Sequence, residues 1–286
     1  MDMGLSPAAI VTSGRSAMTD RKSQPAASSA VDGEGLIELR DLHKRFGTLT
    51  VLSGVSLSLK KSKTTVVIGE SGTGKSVLLK HIVALLRPDS GQVSFRGQRI
   101  DHLRESELVE YRRRFGFLFQ MGALFDSLTV GENIGFPLRE HTRHPEPEIN
   151  RIVAEKLRMV GLEGLQGKRP AQLSGGQKKR VALARAIALD PEVVLYDEPT
   201  TGLDPVRSDV INELIRKLQR ELGVTSVVVT HDMTSAFKVA DRIVMLERGR
   251  IIADGTPDFF KTTDDARIRR FVDGRASPDD LAALDE

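Results

Sequence analysis

The chain has 286 residues, of which 40% are hydrophobic and 28% are charged, as in an ordinary globular protein of about two domains. Cysteine is absent, which excludes disulfides and thiolate metal sites, and an aromatic content of 5% without tryptophan argues against aromatic-lined sugar or single-strand clefts. The net charge of +3 neither requires nor forbids a nucleic-acid partner. Because the sequence lacks a secretory signal and any run of about 20 apolar residues, we expect another chain to make any membrane crossing.

Residues 1–34 are rich in Ser, Ala, Gly and Pro, and the first aromatic residue of the chain is Phe46. Such a segment cannot bury enough apolar surface to offset its ordering entropy, so we predict a disordered tail over 1–34. Met18 is an alternative start, and an artefact of the expressed sequence without any role is the other explanation of this tail.

Strand and helix patterns begin at residue 35. Alternation of apolar and polar residues predicts half-buried strands at 36–39 and 51–59. A β-branched run at Thr64–Ile68 precedes a glycine-rich turn and a helix predicted over 75–86, which together form the first half of a βαβ unit.

Near-continuous apolar strands return later in the chain and alternate with helices, which predicts a parallel sheet covered on both faces. These later elements are strands at 193–196 and 227–230 and helices at 206–222 and Met233–Val239.

The stretch of about 104–189 is charged, lacks long β-branched runs and has helical periodicity at 148–160 and 177–189. We therefore predict a helical subdomain inserted into the α/β core over about 104–189. Its basic runs, 112–114 and 178–180, are expected to be solvated helix faces, with attraction to a membrane surface as the alternative.

The last residues of the chain carry helix-start signals, because Ser277 precedes a proline and an acid follows three residues after it. A helix this short is unstable alone, so we expect Leu281 and Leu284 to pack on a neighbouring subunit.

One segment fits the pattern G-x-x-x-x-G-K-[ST] and lies between a predicted strand and a predicted helix. Its glycines let backbone N–H groups converge on phosphate oxygens, and the helix N-terminus adds its positive end. We expect Lys75 to reach the β- and γ-phosphates and the Ser76 hydroxyl to ligate Mg²⁺, while a turn that merely reverses the chain is the alternative. The segment comprises Gly69, Glu70, Ser71, Gly72, Thr73, Gly74, Lys75 and Ser76.

Asp197 and Glu198 end an apolar strand, at the sheet edge where ligands bind in parallel sheets. With a phosphate loop upstream, Asp197 is expected to support Mg²⁺ and Glu198 to polarise an attacking water. His231 follows another apolar strand and is expected to hydrogen-bond the γ-phosphate. The alternatives are two acids that simply begin a loop and a histidine with a structural role.

A second glycine-rich helix start able to bind an anion comprises Ser174, Gly175, Gly176 and Gln177. Its simplest interpretation is an N-cap followed by a turn. Since the chain offers one phosphate-loop lysine and one Mg²⁺-binding hydroxyl, this second anion site is incomplete by itself. We predict that it serves a nucleotide held by another subunit.

Six motifs occur along the chain in the order GESGTGKS, the glutamine of FLFQ, LSGGQ, VVLYDE, GLDP and His231. Over 36–273 they resemble the motifs of the ATP-binding subunits of ABC transporters. The resemblance implies an α/β P-loop NTPase (RecA-like) core with an antiparallel β edge region and an inserted α-helical subdomain. It assigns 35–273 to the ATPase domain and 274–286 to a C-terminal extension. It also implies ATP and Mg²⁺ as cofactors, held between two head-to-tail copies of the chain.

By the same resemblance, Phe46 stacks on adenine, whereas its residue type alone would make it a core residue. Gln120 would contact Mg²⁺ and the γ-phosphate and link the site to a transmembrane partner, and Asp204 would lie at the shared nucleotide site. Val77 stands where the family commonly has a second hydroxyl. Its backbone N–H still suits the α-phosphate, but a side-chain hydrogen bond of about 0.5–1.5 kcal/mol is missing.

Residues 119–142 and 267–274 resemble the ATPases of Mla/Mce-type lipid transport systems of Gram-negative bacteria. The resemblance implies a chain at the cytoplasmic face of the inner membrane, held by a multi-spanning permease. Further expected partners are an Mce-domain lipid-binding protein and a small regulatory subunit, without nucleic acid. Met121, Leu124 and Phe125 then line the permease groove, with ordinary core packing as the alternative.

Three other functions stay open at this point. The chain is an ABC ATPase of another importer or exporter, or one acting on nucleic acid or ribosomes, or an inactive ATP-binding regulator. The intact Lys75, Asp197, Glu198 and His231 argue against the inactive regulator.

Overall fold

The computed structural model describes residues 35–276, which contain ten strands, nine α-helices and one 3₁₀ helix. The tail predicted over 1–34 and the helix predicted after Ser277 lie outside these residues. The strands are β1 (Ile37–Phe46), β2 (Leu49–Leu59), β3 (Thr64–Ile68), β4 (Ser90–Phe95), β5 (Gln98–Arg99), β6 (Phe115–Leu118), β7 (Val193–Asp197), β8 (Thr225–Thr230), β9 (Arg242–Glu247) and β10 (Arg250–Gly255).

Helices lie between the strands and after the last one, and the 3₁₀ helix is Pro170–Gln172. None of the helices within 35–276 has both the length and the apolar composition that crossing a bilayer demands. The α-helices are α1 (Lys75–Ile82), α2 (Glu105–Arg112), α3 (Val130–His141), α4 (Glu146–Met159), α5 (Gly175–Ala186), α6 (Pro205–Leu222), α7 (Met233–Val239), α8 (Pro257–Thr262) and α9 (Ala266–Val272).

The central sheet has the strand order β10-β9-β3-β8-β7-β6. All neighbours from β9 to β6 are parallel, and β10 is antiparallel to β9. Every residue of β3, β7 and β8 is buried, because both faces of the sheet are covered. Val66 and Val228 belong to the core shared with helices α3–α7, whereas Val67 and Val227 belong to the core shared with α1, β1 and β2. The predicted parallel sheet with two covered faces is confirmed.

A second sheet is antiparallel, with the order β2-β1-β4-β5. Its apolar side chains share a core with α1 and one face of the central sheet. A backbone hydrogen bond of 2.8 Å from Ser53 N to Gly249 O also joins β2 to the β9–β10 turn. This sheet is the antiparallel β region that the family resemblance implies.

Helix α1 is shorter than the predicted 75–86, because the chain leaves the helical path after Ile82. Ala84 has a φ of +53°, in the left-handed region, which no regular helix contains. The amides of Leu85 and Leu86 both donate to the carbonyl of Lys80, at 2.8 and 3.1 Å, and close the helix end. Pro88 follows and prevents further helical hydrogen bonding.

One strand lies inside the region that we expected to be helical. β6 is the short sequence FGFL and pairs with β7 in parallel, so it belongs to the central sheet. Four residues are too few for a clear alternation of apolar and polar side chains, and they lack β-branched residues. The expected helices around it are present as α4 and α5.

His81 on α1 is a buried titratable group outside the nucleotide motifs, with 1% of its surface exposed. Its Nδ1 lies 2.7 Å from the carbonyl oxygen of Val77, and its Nε2 has no hydrogen-bond partner within the described residues. Burial therefore lowers the pKa of His81 below its usual value, and the nearby Lys44 acts in the same direction.

This lowered pKa predicts an acid-sensitive stability. Below about pH 6.5 the unfolded chain binds a proton at His81 that the folded chain rejects, so the free energy of unfolding falls as pH falls. We expect His81→Leu to reduce that slope by up to about 1.4 kcal/mol per pH unit between pH 6.5 and 5.5. Urea unfolding at several pH values measures it, with the exposed His102→Gln as control; equal slopes in wild type and His81→Leu would contradict the prediction.

Candidate nucleotide site

Four neighbouring strands of the central sheet end at the same edge, and each carries one of the predicted motifs. β3 leads into the phosphate loop at Gly69, β8 precedes His231, β7 ends at Asp197, and β6 precedes Gln120. The register places Ile68 opposite Thr230 and Asp197 opposite Val229. Parallel pairing therefore brings segments that are far apart in sequence side by side at one edge.

The phosphate loop between β3 and α1 is curled around the ammonium group of Lys75. Its Nζ donates to the carbonyl oxygens of Gly69 and Glu70, at 2.7 and 2.8 Å, and the residue is only 6% exposed. Burial lowers the pKa of Lys75, while the carboxylates of Glu198 and Asp197 oppose that shift. Gly69 is required here, since a Cβ atom would lie 2.2 Å from the carbonyl oxygen of Leu246.

The remaining residues of the loop divide into an exposed part and a packed part. Glu70, Ser71 and Gly72 are exposed, and Thr73 Oγ1 donates to the carbonyl of Glu70 at 2.9 Å. Val77 is half-buried against the core beneath α1.

Ser76 and Asp197 are joined directly, with Ser76 Oγ donating to Asp197 Oδ1 at 2.8 Å. Asp197 and Glu198 are each 9% exposed. Burial raises the pKa of Asp197, the hydrogen bond from Ser76 opposes the shift, and the neighbouring Glu198 adds to it. Two buried carboxyl groups thus lie side by side, and the Ser76 hydroxyl of the phosphate loop contacts one of them. A cation at this position would be favoured, because it would neutralise their charge.

The carboxylate of Glu198 lies 3.0 Å from His231 Nδ1 and accepts a 3.2 Å hydrogen bond from Thr201 Oγ1. Its backbone has a φ of +49°, which non-glycine residues rarely adopt and which occurs often at functional sites. His231 itself exposes 55% of its side chain. Since Nδ1 is engaged with Glu198, His231 can meet a phosphate only through Nε2.

Phe46 lies at the exposed end of the β1–β2 hairpin, with 48% of its surface accessible. Its interpretation as a core residue is therefore wrong. The hairpin is close to the phosphate loop, since a Cβ atom on Gly74 would lie 2.9 Å from the carbonyl oxygen of Val51. Lys44 Nζ lies 5.5 Å from the ring centroid of Phe46.

The residues of the LSGGQ motif begin helix α5. Ser174 Oγ accepts from the Gln177 amide at 3.3 Å, and Gln177 Oε1 accepts from the Ser174 amide at 2.9 Å. The N-cap interpretation of Ser174 is thus confirmed. Within 35–276, no hydrogen bond or ion pair joins 174–177 to the phosphate loop 69–76.

Asp204 lies beside this helix start and also caps a helix. Its Oδ1 accepts from the Arg207 amide at 2.9 Å, at the beginning of α6. Gly175 and Gly176 approach the side chains of Leu203 and Arg207. The LSGGQ and Asp204 segments therefore share one surface.

The expected permease-groove residues differ in burial. Met121 is 89% exposed and Phe125 is 44% exposed, whereas Leu124 packs against the main core. Phe125 contacts Phe136, at 5.0 Å between ring centroids. The alternative of ordinary core packing therefore holds for Leu124 and not for the exposed Met121.

The two basic runs also differ. Arg112, Arg113 and Arg114 form ion pairs at partly exposed positions, as expected of a solvated face. The expectation is wrong for Lys179, which is 7% exposed and donates to the backbone carbonyl of Gln120. The sequence contains a signal that we missed, because Lys179 lies three and four residues before Ala182 and Leu183 and so shares their helix face.

A sequence profile described as ABC transporter matches residues 52–201. The chain is 42% identical over 243 residues to the intermembrane phospholipid transport system ATP-binding protein MlaF of Haemophilus influenzae, covering 85% of this chain and 92% of that protein. It is also 42% identical over 253 residues to the probable ribonucleotide transport ATP-binding protein mkl of Mycobacterium leprae, covering 86% and 73% of the two chains.

Among solved structures, the fold is similar to that of the ATP-binding cassette MJ0796, determined as a dimer in a post-hydrolysis state bound to ADP and Pi. The TM-score is 0.72 at 35% identity, over 77% of this chain and 98% of that one. Profile, relatives and fold agree with the motifs gathered at the sheet edge. The chain belongs to the ABC transporter family and is one of its ATP-binding, ATP-hydrolysing cassettes.

Proposed function

We propose that the chain is the motor subunit of a lipid transporter, in which two copies close head-to-tail on ATP and reopen after hydrolysis. The observation that carries this proposal is the division of the motifs between two surfaces. Lys75, Ser76, Asp197, Glu198 and His231 meet at the sheet edge, whereas the LSGGQ residues cap a different helix. A second copy would supply the missing anion site, and the dimeric state of the related cassette supports this arrangement.

The residues at the sheet edge fit Mg²⁺ together with a polyphosphate. Within 35–276, no group of three or more His, Asp or Glu residues forms a metal cage, and Mg²⁺ typically needs only one or two carboxylates when phosphates complete its shell. Ser76 and Asp197 would hold the ion, with Gln120 from the adjacent strand end. When bound, Mg²⁺ neutralises charge that develops on the phosphates.

The other groups act on the nucleotide and on water. Lys75 and the backbone N–H groups of the phosphate loop through Val77 would bind the phosphates, and Phe46 would stack on the base. Glu198 would accept the proton of the attacking water while Thr201 and His231 hold its carboxylate in place. From the partner copy, 174–177 and Asp204 would complete the site.

The similarity to the phospholipid transport protein MlaF supports phospholipid or a related lipid as the cargo, moved between the inner and outer membranes. The proposed partners are a multi-spanning inner-membrane permease, an Mce-domain lipid-binding protein and a small regulatory subunit. The exposed Met121 and Phe125 are the proposed permease contacts. The chain would then work at the cytoplasmic face of the inner membrane, attached through the permease.

Another transported substrate is the second candidate, because the relative named for ribonucleotide transport has the same 42% identity. Its match covers 73% of that relative, against 92% for MlaF, which favours the lipid system.

Affinity purification of the full chain from its native membranes, followed by mass spectrometry of proteins and lipids, tests this assignment. We expect a multi-spanning permease, an Mce-domain protein and bound phospholipid to co-purify. The matched control is Met121→Glu with Phe125→Glu, which should lose the permease while keeping ATP binding. Co-purification of a permease with a ribonucleotide and no lipid would instead support the second candidate.

A further inference from the structure

Helix α5 directs two cationic side chains into the loop that follows β6. Lys179 Nζ donates to the carbonyl oxygen of Gln120. Arg185 donates to the carbonyl oxygens of Gly122 and Ala123, at 2.9 and 2.8 Å. One helix therefore holds three carbonyl groups of the loop that carries Gln120.

One residue of this loop has a strained backbone. Ala123 has a φ of +50°, in the left-handed region that alanine rarely adopts, whereas its neighbour Gly122, at +77°, adopts it freely. A hydrogen bond of 2.8 Å from Gly122 N to Phe119 O closes the turn. Such backbone strain persists only where the surroundings fix it, and Arg185 donates to the carbonyl of the strained Ala123 and to that of Gly122 before it.

Lys179 also reaches the residue proposed as the general base. Its Nζ lies 3.4 Å from the carbonyl oxygen of Glu198, which has a left-handed φ of +49°. Burial lowers the pKa of Lys179, and the carboxylates of Glu198 and Asp197 oppose that shift. A buried ammonium without hydrogen-bond partners is costly in free energy. The bonds from Lys179 therefore fix these two backbone segments relative to α5.

Ser174 caps helix α5, so the helix that holds the Gln120 loop is also the one that carries LSGGQ. We propose that Lys179 and Arg185 are positioning residues that hold the Gln120 loop and the backbone of Glu198 against α5, so that Gln120 and Glu198 are placed for hydrolysis. This inference rests on the proposed function, because it assumes that Gln120 and Glu198 act on the nucleotide.

The first test measures amide hydrogen exchange in the full chain without nucleotide. Lys179→Met keeps the length of the side chain and removes its donors. The amides of Gly122 and Phe125 donate to Phe119 O and Asn133 Oδ1, at 2.8 and 2.9 Å. We expect both to exchange about tenfold faster, since the loop loses a hydrogen bond from a charged group. Lys178→Met, about 100° around the same helix, is the matched control and should stay within about twofold of wild type.

A conservative variant separates positioning from folding. Lys179→Arg retains charge and donors and should restore the exchange of both amides to within about threefold of wild type. If Lys179→Met does not fold, Arg185→Lys, which keeps the charge and loses the paired donors, should speed the Gly122 amide at least about threefold. Unchanged exchange in a folded Lys179→Met or Arg185→Lys chain would overturn the proposal.

The second test is a double-mutant cycle on ATP turnover. Lys179→Met should lower kcat about tenfold with the ATP Kd within about twofold. If Lys179 acts through Gln120, the chain with Gln120→Ala and Lys179→Met should be no slower than Gln120→Ala alone; additive losses would overturn that route. Absence of ATP turnover in wild type would refute the proposed function but leave the exchange result standing, so the two failures are distinguishable.

Discussion

Glu198→Gln is expected to abolish turnover while leaving the nucleotide bound. The amide keeps the shape of the side chain: its oxygen can accept from His231 Nδ1, and its NH₂ group can donate to Thr201 Oγ1, at positions that now lie 3.0 and 3.2 Å apart. It cannot accept the proton of an attacking water, so kcat should fall about 10²–10⁴-fold while the ATP Kd changes less than about threefold. Steady-state phosphate release and equilibrium binding measure the two effects.

The same substitution should trap the closed pair of copies, because the step that reopens it no longer occurs. Size-exclusion chromatography with ATP and Mg²⁺ should therefore show a dimer for Glu198→Gln at concentrations where the wild type is mainly monomeric. The exposed Glu221→Gln on α6 is the control and should behave as wild type. Full activity of Glu198→Gln would remove Glu198 from the base role.

Complementation between two inactive chains is the second prediction with a large effect. Lys75→Met removes the ammonium that the phosphate loop encloses. Gly175→Asp places a carboxylate at the start of α5, where it suits the helix dipole but repels phosphate, and its Cβ atom would have ordinary contact with Leu203 at 3.8 Å. Each chain alone should be inactive and folded.

Pairs isolated by two different tags, one on each inactive chain, should recover about half of the wild-type turnover. One of their two sites combines a normal phosphate loop with a normal LSGGQ turn. A chain with both substitutions, paired with wild type, should have no activity, because each site then contains one defect. Half activity in that control and none in the complementing pair would show that each nucleotide is held within a single chain.

The fold was predictable where a β-branched apolar run forms a strand that is buried on both faces of the sheet. The run Thr64–Ile68 reads as a buried strand, and the structure gives it the same bounds. β6 was missed because its pairing with β7 depends on a contact distant in sequence. The end of α1 was misplaced because the left-handed turn at Ala84 has no glycine to mark it.

The arrangement of the candidate site residues was predictable where it depends on neighbouring residues of one motif, as in the phosphate loop. The contacts made by Lys179 were not, since they join α5 to two loops that lie far away in the sequence. Charge alone suggested a solvated lysine, whereas its position on an apolar helix face indicates burial. Pairs such as Glu198 and His231 required the strand order, which places β7 beside β8.

Within the described part of the chain, β6 is the outermost strand of the central sheet and pairs only with β7. Asp197 ends β7 and His231 follows β8, and each of these strands is bonded on both sides. Displacing either would disrupt two ladders, whereas a swing of the segment after β6 would disrupt one ladder at most, together with the bonds that Lys179 and Arg185 donate to it. The periphery of the sheet is thus where this molecule can yield mechanically at the smallest cost in backbone pairing, while Asp197 and His231 stay in place.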